Sequence, residues 1–363
     1  MSAEATPTYS PDVMAYLGRL YDEDLREFAC RAGTPEEVAA WQAAARPALR
    51  TLIGLDRIAD SAAGHVPTAQ LDDPEDMGDY TRRRGRLETE PDVRVPFWIV
   101  QPHGAGPFPL ALTPHGHDPR GHDTSVGIAA DDAARARLMA EDRDVAVQAA
   151  RQGYLAIAPA TRGIGCDGVP DLHGRHGERH CRSQLMHCLL AGRTPTGERA
   201  WDMARFIDWA LAHLPVHDRG LLMVGNSGGG MISTYAPACD PRIRIAVASC
   251  SFNSYVAATG KVVHCDCNMV PGILRFGGFH DVAGLIAPRH FLVVHGRDDP
   301  LFDNDDIDRT VGQVRRIYAA AGADGRFEQA YGEGGHRFYR DLMWPFIRTA
   351  RGEAGERHEE DTP

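Results

Sequence analysis

The sequence predicts an α/β protein with a mostly parallel, twisted sheet of about eight strands and helices on both faces. Short apolar runs typical of buried strands alternate along the chain with longer segments whose apolar residues recur at helical spacing. The 363 residues suffice for one large core, and apolar and charged residues occur in proportions ordinary for a soluble globular protein.

Residues 1–79 predict a helical N-terminal extension. Ser10-Pro11 and Thr34-Pro35 each place an N-cap residue before a proline at the first helical position. We expect these two helices to pack on the main domain or on a second subunit, because helical apolar stripes usually face a core. Residues 60–79 are rich in Ala, Gly, Pro and Asp and predict a connecting loop.

The main domain is predicted over residues 80–350 and begins with a β-hairpin. Its strands are predicted at 80–88, 93–101, 110–113, 154–158, 221–226, 243–250, 291–295 and 326–330. Its helices are predicted at 132–152, 200–214, 305–321 and 338–348, with an irregular insertion at 251–289. The last residues, 351–363, are highly charged and predict a disordered tail.

Charge and composition exclude several classes of partner. The formal net charge of −11 argues against nucleic acid or an anionic membrane. No apolar run approaches the roughly 18 residues that span a bilayer, and residues 1–11 lack the features of a secretory signal. Eight dispersed cysteines then predict reduced thiols and a cytoplasmic protein. A homo-oligomer is compatible with the sequence.

A nucleophile-elbow pattern lies at the end of the strand predicted at 221–226. Gly225, Ser227 and Gly229 match G-x-S-x-G, in which a serine sits on a strained turn between a strand and a helix. Small residues on both sides let the strand and helix backbones pass closely. The amide of Gly228, at the start of the helix, can then face a developing oxyanion.

The rest of a Ser-His-Asp triad follows in the chain order that this pattern requires. His336 lies on a loop between the last strand and the last helix, and is the predicted general base. The acid is expected just past the strand at 291–295, where we favour Asp299 and keep Asp298 as the alternative. The second oxyanion donor is expected after the strand at 110–113, and we assign it to the amide of His117.

These motifs together resemble the α/β-hydrolase superfamily, and within it the serine esterases similar to dienelactone hydrolases and acetyl xylan esterases. The resemblance runs from about residue 80 to about residue 348 and rests on segments 115–117, 162–165, 201–205, 225–229, 264–272, 285–289 and 335–336, with the Asp299 loop. Dienelactone hydrolases proper are less similar, because their nucleophile is a cysteine. The resemblance implies the α/β-hydrolase fold and a cofactor-free esterase that removes a short acyl group, above all acetyl, from a sugar or small metabolite.

Other interpretations remain open at this stage. The same triad serves serine peptidases of the prolyl-oligopeptidase kind, although 80 N-terminal residues cannot build their large propeller. A non-catalytic binding protein on the same fold is the third class. Arg162, Trp201 and Asn268 lie in segments near the strand ends and are expected to line the substrate pocket, with structural roles as the alternative.

A run of histidines and cysteines between residues 173 and 188 invites a metal interpretation. The segment is also rich in Arg and Gly, which favours a solvated or pocket-lining loop. Cys265 and Cys267 have no second cysteine pair at zinc-finger spacing, so they are interpreted as core or pocket-wall thiols. The sequence therefore predicts no metal and no cofactor.

Overall fold

The computed structural model describes residues 9–164 and 169–360, with side chains through residue 352. Ten strands form one sheet. They are β1 (Thr68–Leu71), β2 (Glu75–Asp76), β3 (Tyr80–Glu90), β4 (Val93–Pro102), β5 (Phe108–Leu112), β6 (Leu155–Pro159), β7 (Val216–Asn226), β8 (Ile245–Ser249), β9 (His290–Gly296) and β10 (Phe327–Gly332).

The sheet is antiparallel at one side and parallel over the rest. Its strand order is β1-β3-β4-β6-β5-β7-β8-β9-β10, and β2 pairs with β3. Strands β6, β5, β7, β8, β9 and β10 run parallel to their neighbours in this order. Because parallel strands end at the same edge, the loops that follow β5, β7, β9 and β10 meet there.

Helices cover the two faces of the sheet. They are α1 (Pro11–Leu20), α2 (Pro35–Leu52), α3 (Leu55–Ser61), α4 (His122–Ser125), α5 (Asp132–Ala140), α6 (Val145–Arg151), α7 (His180–Leu190), α8 (Pro195–His213), α9 (Gly228–Cys239), α10 (Ile273–Phe276), α11 (Phe279–Gly284), α12 (Asn304–Ala320) and α13 (Arg340–Glu360). None of the described helices is long and apolar enough to cross a membrane.

Strand β7 separates two cores. Leu221 and Met223 point to one face, where they pack with residues of α2, α3, α8, α9, α11 and α12. Leu222 and Val224 point to the other face, where they pack with residues of α6 and α13. This alternation follows from the two-residue period of a strand, and it explains why both faces of the segment are apolar.

The N-terminal helices α2 and α3 are part of the first core. Ala45, Leu49 and Ile58 are completely buried there. The two predicted helices are present as α1 and α2, and packing on the main domain is confirmed for α2. Helix α3 was not predicted. Helix α1 buries none of its side chains.

Helix α2 also contacts the carboxyl end of α9. The guanidinium of Arg46 donates hydrogen bonds to the carbonyl oxygens of Ala238 and Leu285. Arg289, which follows α11, donates to the carbonyl oxygen of Pro237 at 2.6 Å and to that of Ile243 at 2.6 Å. The carbonyl groups in the last turn of a helix have no partner within it, so these cations satisfy them and oppose the negative end of the helix dipole.

Several predicted boundaries are wrong, and three of the differences change an element. The loop expected at 60–79 contains β1 and β2, which pair with β3, so the sheet begins before residue 80. Strands of four and two residues are too short for an alternating pattern to stand out. The helix expected at 132–152 is two helices, because Asp142 has a φ of 56°. The last helix continues to Glu360 instead of giving way to disorder, in keeping with its Glu, Arg and Ala content.

We expect Arg289→Met to lower the free energy of unfolding by about 1–3 kcal/mol, because backbone carbonyl groups around the end of α9 would lose their donor. Arg326→Met is the matched control. Arg326 also donates to a carbonyl oxygen, that of Pro288 at 3.1 Å, but this bond is exposed and water can replace it. Urea denaturation measures both variants. Equal losses in the two would contradict the assigned role of Arg289.

Candidate active site

Ser227 is the single residue between the end of β7 and the start of α9. The predicted order of strand, serine and helix is therefore confirmed. Its backbone has a φ of 57° and a ψ of −122°, a conformation that residues with a Cβ rarely adopt. The amide of Ser227 donates to the carbonyl oxygen of Ser249 on the neighbouring strand at 2.9 Å. Strained backbone of this kind costs about 1–3 kcal/mol, and it is typical of functional sites.

Glycines on both sides of Ser227 permit very close backbone contacts. A Cβ at Gly225 would lie 2.3 Å from the carbonyl oxygen of Gly229. A Cβ at Gly229 would lie 2.1 Å from the carbonyl oxygen of Pro114, in the loop after β5. Any side chain at these positions would therefore force the strand, the helix and this loop apart.

Ser227 and His336 line the same narrow cleft at the carboxyl edge of the sheet. The cleft has a volume of about 80 Å³ and is also lined by the loop after β5, including His115, Gly116 and His117. A larger cavity of about 420 Å³ adjoins it and shares His117 as a wall. This second cavity is bordered by both charged and apolar side chains, among them Arg120, Ile128, Arg137, Leu138 and Glu141.

His336 is hydrogen-bonded to the buried carboxylate of Asp299. The distance from Nδ1 of His336 to Oδ2 of Asp299 is 2.7 Å, and the other carboxylate oxygen accepts from the amide of Leu301 at 3.0 Å. Burial alone would raise the pKa of Asp299, but the hydrogen bonds from His336 and Leu301 outweigh it and leave the pKa below its ordinary value. Asp299 is therefore ionised at neutral pH and fixes the orientation of the imidazole.

The neighbouring carboxylate is arranged differently. Asp298 is exposed, and its backbone amide donates to the carbonyl oxygen of Gly334 at 2.9 Å. Of the two aspartates that the sequence left open, Asp299 is the one in contact with His336.

The loop after β5 packs against the start of α9. A Cβ at Gly116 would lie 2.9 Å from the amide nitrogen of Gly228 and 2.9 Å from the Cβ of Ser227. Gly228 is the first residue of α9, so its amide has no acceptor within the helix. The backbone of Gly116 thus lies against both the amide of Gly228 and the Cβ of Ser227. The roles of the Gly228 and His117 amides as oxyanion donors stay a prediction.

His115 secures this loop through both of its ring nitrogens. Nδ1 lies 2.7 Å from the carbonyl oxygen of Gly116, and Nε2 accepts a hydrogen bond from the amide of Thr161 at 2.8 Å. Burial lowers the pKa of His115 to about 4, so the ring is neutral. Nδ1 then carries the proton and donates it to Gly116.

Arg162 does not line the cleft. Its guanidinium donates to Asp202 at 2.7 and 2.8 Å and lies 2.9 Å from a carboxylate oxygen of Glu90. Burial alone would lower the pKa of Arg162, but the charges of Asp202, Glu198 and Glu90 outweigh it and raise the pKa. Arg162 therefore joins the end of the hairpin to α8. Its contact with substrate stays a prediction.

Trp201 and Asn268 are also absent from the lining of the cleft. The indole nitrogen of Trp201 donates to the carbonyl oxygen of Thr89 at 2.9 Å, and the ring packs in the first core. Asn268 accepts a hydrogen bond from Arg199 at 3.0 Å and is buried. The indole nitrogen of Trp201 and the amide oxygen of Asn268 thus have partners inside the protein. Their contact with substrate stays a prediction.

Arg143 is one of the side chains beside the cleft that were not predicted from the sequence. Arg143 lies 3.5 Å from the carboxylate of Asp118 and donates to the carbonyl oxygen of His336 at 3.3 Å. It links the two loops that carry His117 and His336, and it borders both cavities. It follows Asp142 in the break between α5 and α6, and the cluster of four charged residues at 141–144 was the available signal.

The fold is that of the α/β hydrolases, which several solved esterase structures share. A crystal structure described as a putative acetyl xylan esterase, from Bacteroides fragilis NCTC 9343, superposes with a TM-score of 0.70 at 16% identity, over 96% of this chain and 97% of that chain. A glucuronoyl esterase from Solibacter usitatus superposes with a TM-score of 0.61 at 14% identity, over 91% of this chain and 96% of that chain. At these identities the similarity establishes the fold.

Similarity in sequence alone is weaker. No family model matches the chain. The curated protein named Putative hydrolase YtaP, from Bacillus subtilis (strain 168), is 24% identical over 170 residues, which is 45% of this chain and 57% of that protein. The aligned part thus spans little more than half of that relative.

We expect Gly229→Ala to lower the free energy of unfolding by roughly 1–3 kcal/mol, because the new methyl group would overlap the carbonyl group of Pro114. Gly312→Ala is the control. It lies in α12 with nothing within 4 Å of the added Cβ, and should raise the free energy of unfolding by about 0.4–1 kcal/mol. Denaturant unfolding compares the two. A Gly229→Ala protein as stable as the wild type would show that the close contact is not required.

Proposed function

We propose that this protein is a serine hydrolase that cleaves a carboxylic ester through an acyl-enzyme. One observation carries the proposal: a strained serine at a strand end shares a narrow cleft with a histidine that is hydrogen-bonded to a buried aspartate. A serine hydroxyl is a weak nucleophile by itself, and an adjacent oriented imidazole is the usual means of activating it. The solved structures of the same fold include esterases, which supports an ester as the substrate.

In the proposed mechanism Ser227 attacks the ester carbonyl carbon while Nε2 of His336 accepts its proton. Asp299 holds Nδ1 of His336 and stabilises the imidazolium that forms. The amides of Gly228 and His117 donate to the oxyanion of the tetrahedral intermediate. His336 then returns the proton to the leaving alkoxide, and the C–O bond breaks to leave an acyl-Ser227.

Water completes the cycle. His336 accepts a proton from a water molecule, whose oxygen attacks the acyl carbon and forms a second tetrahedral intermediate at the same two amides. Collapse of this intermediate breaks the bond to Oγ of Ser227, and His336 returns the proton to that oxygen. The products are a carboxylic acid and an alcohol, and the enzyme is regenerated.

We further propose a short acyl group, acetyl above all, on a sugar or small soluble metabolite. The cleft at Ser227 has a volume of only about 80 Å³, which suits a group of a few atoms. The adjoining cavity of about 420 Å³ is large enough for a monosaccharide-sized alcohol. Its charged and hydroxyl-bearing side chains, among them Asp118, Arg120 and Thr124, can hydrogen-bond to sugar hydroxyls.

The first test compares p-nitrophenyl acetate, butyrate and octanoate as substrates of the wild type and Ser227→Ala. We expect the wild type to prefer acetate, and Ser227→Ala to lose roughly 10³- to 10⁶-fold in kcat. Ser233→Ala is the matched control, since Ser233 lies in α9 and its buried hydroxyl has no hydrogen-bond partner among the described residues. It should retain wild-type turnover.

Three outcomes would count against the proposal. Turnover that survives in Ser227→Ala would exclude this nucleophile. A wild type that is inert to the esters but cleaves amides would favour a serine peptidase or amidase. A protein that neither turns over esters or amides nor reacts with a fluorophosphonate would be a binding protein on this fold.

The second test separates the two adjacent aspartates. We expect Asp299→Asn to lower kcat by roughly 10⁴-fold, because the amide cannot hold His336 in the required tautomer or stabilise its charged form. Asp298→Asn is the matched control. It neutralises the exposed carboxylate of the adjacent residue, and should leave kcat close to the wild-type value. Steady-state kinetics with p-nitrophenyl acetate measures both. A large loss in Asp298→Asn alone would reverse the assignment.

A further inference from the structure

Beside the cleft, four side chains from distant parts of the chain converge on one point. They are His117 after β5, Cys181 in the first turn of α7, and Cys265 and Cys267 in the segment before α10. One donor atom from each, a ring nitrogen or a sulfur, lies within 4.8 Å of every other. Of the His/Cys run between residues 173 and 188, only Cys181 belongs to this group.

The spacing of these atoms matches a tetrahedral metal site. Zinc bonds of about 2.3 Å to sulfur and about 2.0–2.1 Å to nitrogen imply edges of about 3.8 Å between two sulfurs and about 3.6 Å between sulfur and nitrogen. The distance from Sγ of Cys181 to Sγ of Cys265 is 4.0 Å. The distance from Sγ of Cys267 to Nε2 of His117 is 3.6 Å. The other four separations are no greater than 4.8 Å, so the four donor atoms already surround one point.

We propose that His117, Cys181, Cys265 and Cys267 bind one zinc ion as a closed Cys3His site. Three thiolates and one imidazole are a common ligand set for structural zinc, and soft sulfur ligands favour zinc over magnesium or calcium. The sequence predicted no metal because Cys265 and Cys267 lack a second pair nearby. The fold supplies the other two ligands from distant positions. Cys181 lies 84 residues before Cys265, and His117 lies 150 residues before Cys267.

The surroundings suit the charge of such a site. Zinc with three thiolates and a neutral imidazole carries one net negative charge, which a low-dielectric interior disfavours unless it is balanced. Arg179 lies 3.1 Å from Sγ of Cys265, and Arg199 lies 3.6 Å from Sγ of Cys267. Ile164 packs against the buried cysteines and limits access of water.

The remaining carboxylate near the site is already neutralised. Asp266 accepts a hydrogen bond from the thiol of Cys265 at 3.1 Å, and it is paired with Arg179 and Arg182. On metal binding the thiol proton would be displaced, and the ion pairs of Asp266 would remain to hold the segment in place.

The site would act on the candidate active site through the loop after β5. A bond from zinc to the side chain of His117 would fix the residue whose backbone amide is proposed to hold the oxyanion. Four protein ligands leave no open position, so the zinc would organise this loop and take no part in the chemistry. This consequence for catalysis rests on the proposed function, whereas the metal site itself does not.

The experiment measures metal binding by the full chain, purified under reducing conditions without chelator. We expect elemental analysis to find about one zinc per chain. After removal of the metal, titration with Co²⁺ should produce thiolate charge-transfer absorption and the intense visible bands of a tetrahedral site, saturating at about one equivalent.

Variants locate the site. Cys265→Ser and Cys267→Ser should each reduce bound zinc to below about one tenth of an equivalent after dialysis. Cys188→Ser is the matched control, because Cys188 is a buried cysteine on α7 outside the group, and it should bind like the wild type. His117→Ala changes an exposed side chain, so it should fold normally, yet bind zinc more weakly and alter the Co²⁺ spectrum.

Several results would overturn the proposal. These are a wild type without stoichiometric metal that also fails to bind Co²⁺, binding that survives in the double variant Cys265→Ser, Cys267→Ser, and a disulfide between these cysteines in the reduced preparation. Circular dichroism on each variant separates loss of the site from loss of folding. Ser227→Ala should bind zinc fully while inactive, so failure of the hydrolase proposal would leave this one standing.

Discussion

Three segments of backbone pass in very close contact at Ser227, and this contact positions the candidate active site. The end of β7, the start of α9 and the loop after β5 approach so closely that Gly116, Gly225 and Gly229 have no room for a Cβ. This contact holds Ser227 in its strained conformation and brings the loop of His117 beside the amide of Gly228. The parallel sheet then delivers His336 and Asp299 to the same edge, because β9 and β10 end there.

Much of the fold and of the candidate site could be predicted because the signals are local. Apolar runs located the main strands, and Gly225, Ser227 and Gly229 are separated by fixed short distances. The choice of Asp299 over Asp298 depended on how one turn is folded, which neighbouring residues alone cannot decide. The break at Asp142, and with it Arg143 beside the cleft, was hidden in a segment with a helical composition. Of the eight cysteines that the sequence predicts to be reduced, Cys166 lies outside the described residues.

Arg162 and Cys265 illustrate a second limit of sequence reasoning. Both lie in segments that resemble those of known esterases. The sequence suggested a substrate contact for Arg162 and a core or pocket-wall thiol for Cys265. Their partners come from elsewhere in the chain: Glu90 and Asp202 surround Arg162, and Cys181 approaches Cys265. A buried ion network and a cluster of sulfur atoms thus connect segments that lie near the cleft. Polar side chains near an active site therefore divide into those that face the cleft and those that support its walls.

The bonds between α2 and the end of α9 also bear on the order of events during synthesis. Arg46 leaves the ribosome long before its acceptor Ala238, which is 192 residues further along the chain. The apolar face of α2, with Ala45 and Leu49, therefore lacks its packing partners until α9 and Leu285 have been synthesised. Contacts of such long range slow folding and leave apolar surface exposed in the meantime. Helix α2 thus stabilises the finished protein but exposes its apolar face while the chain is being made.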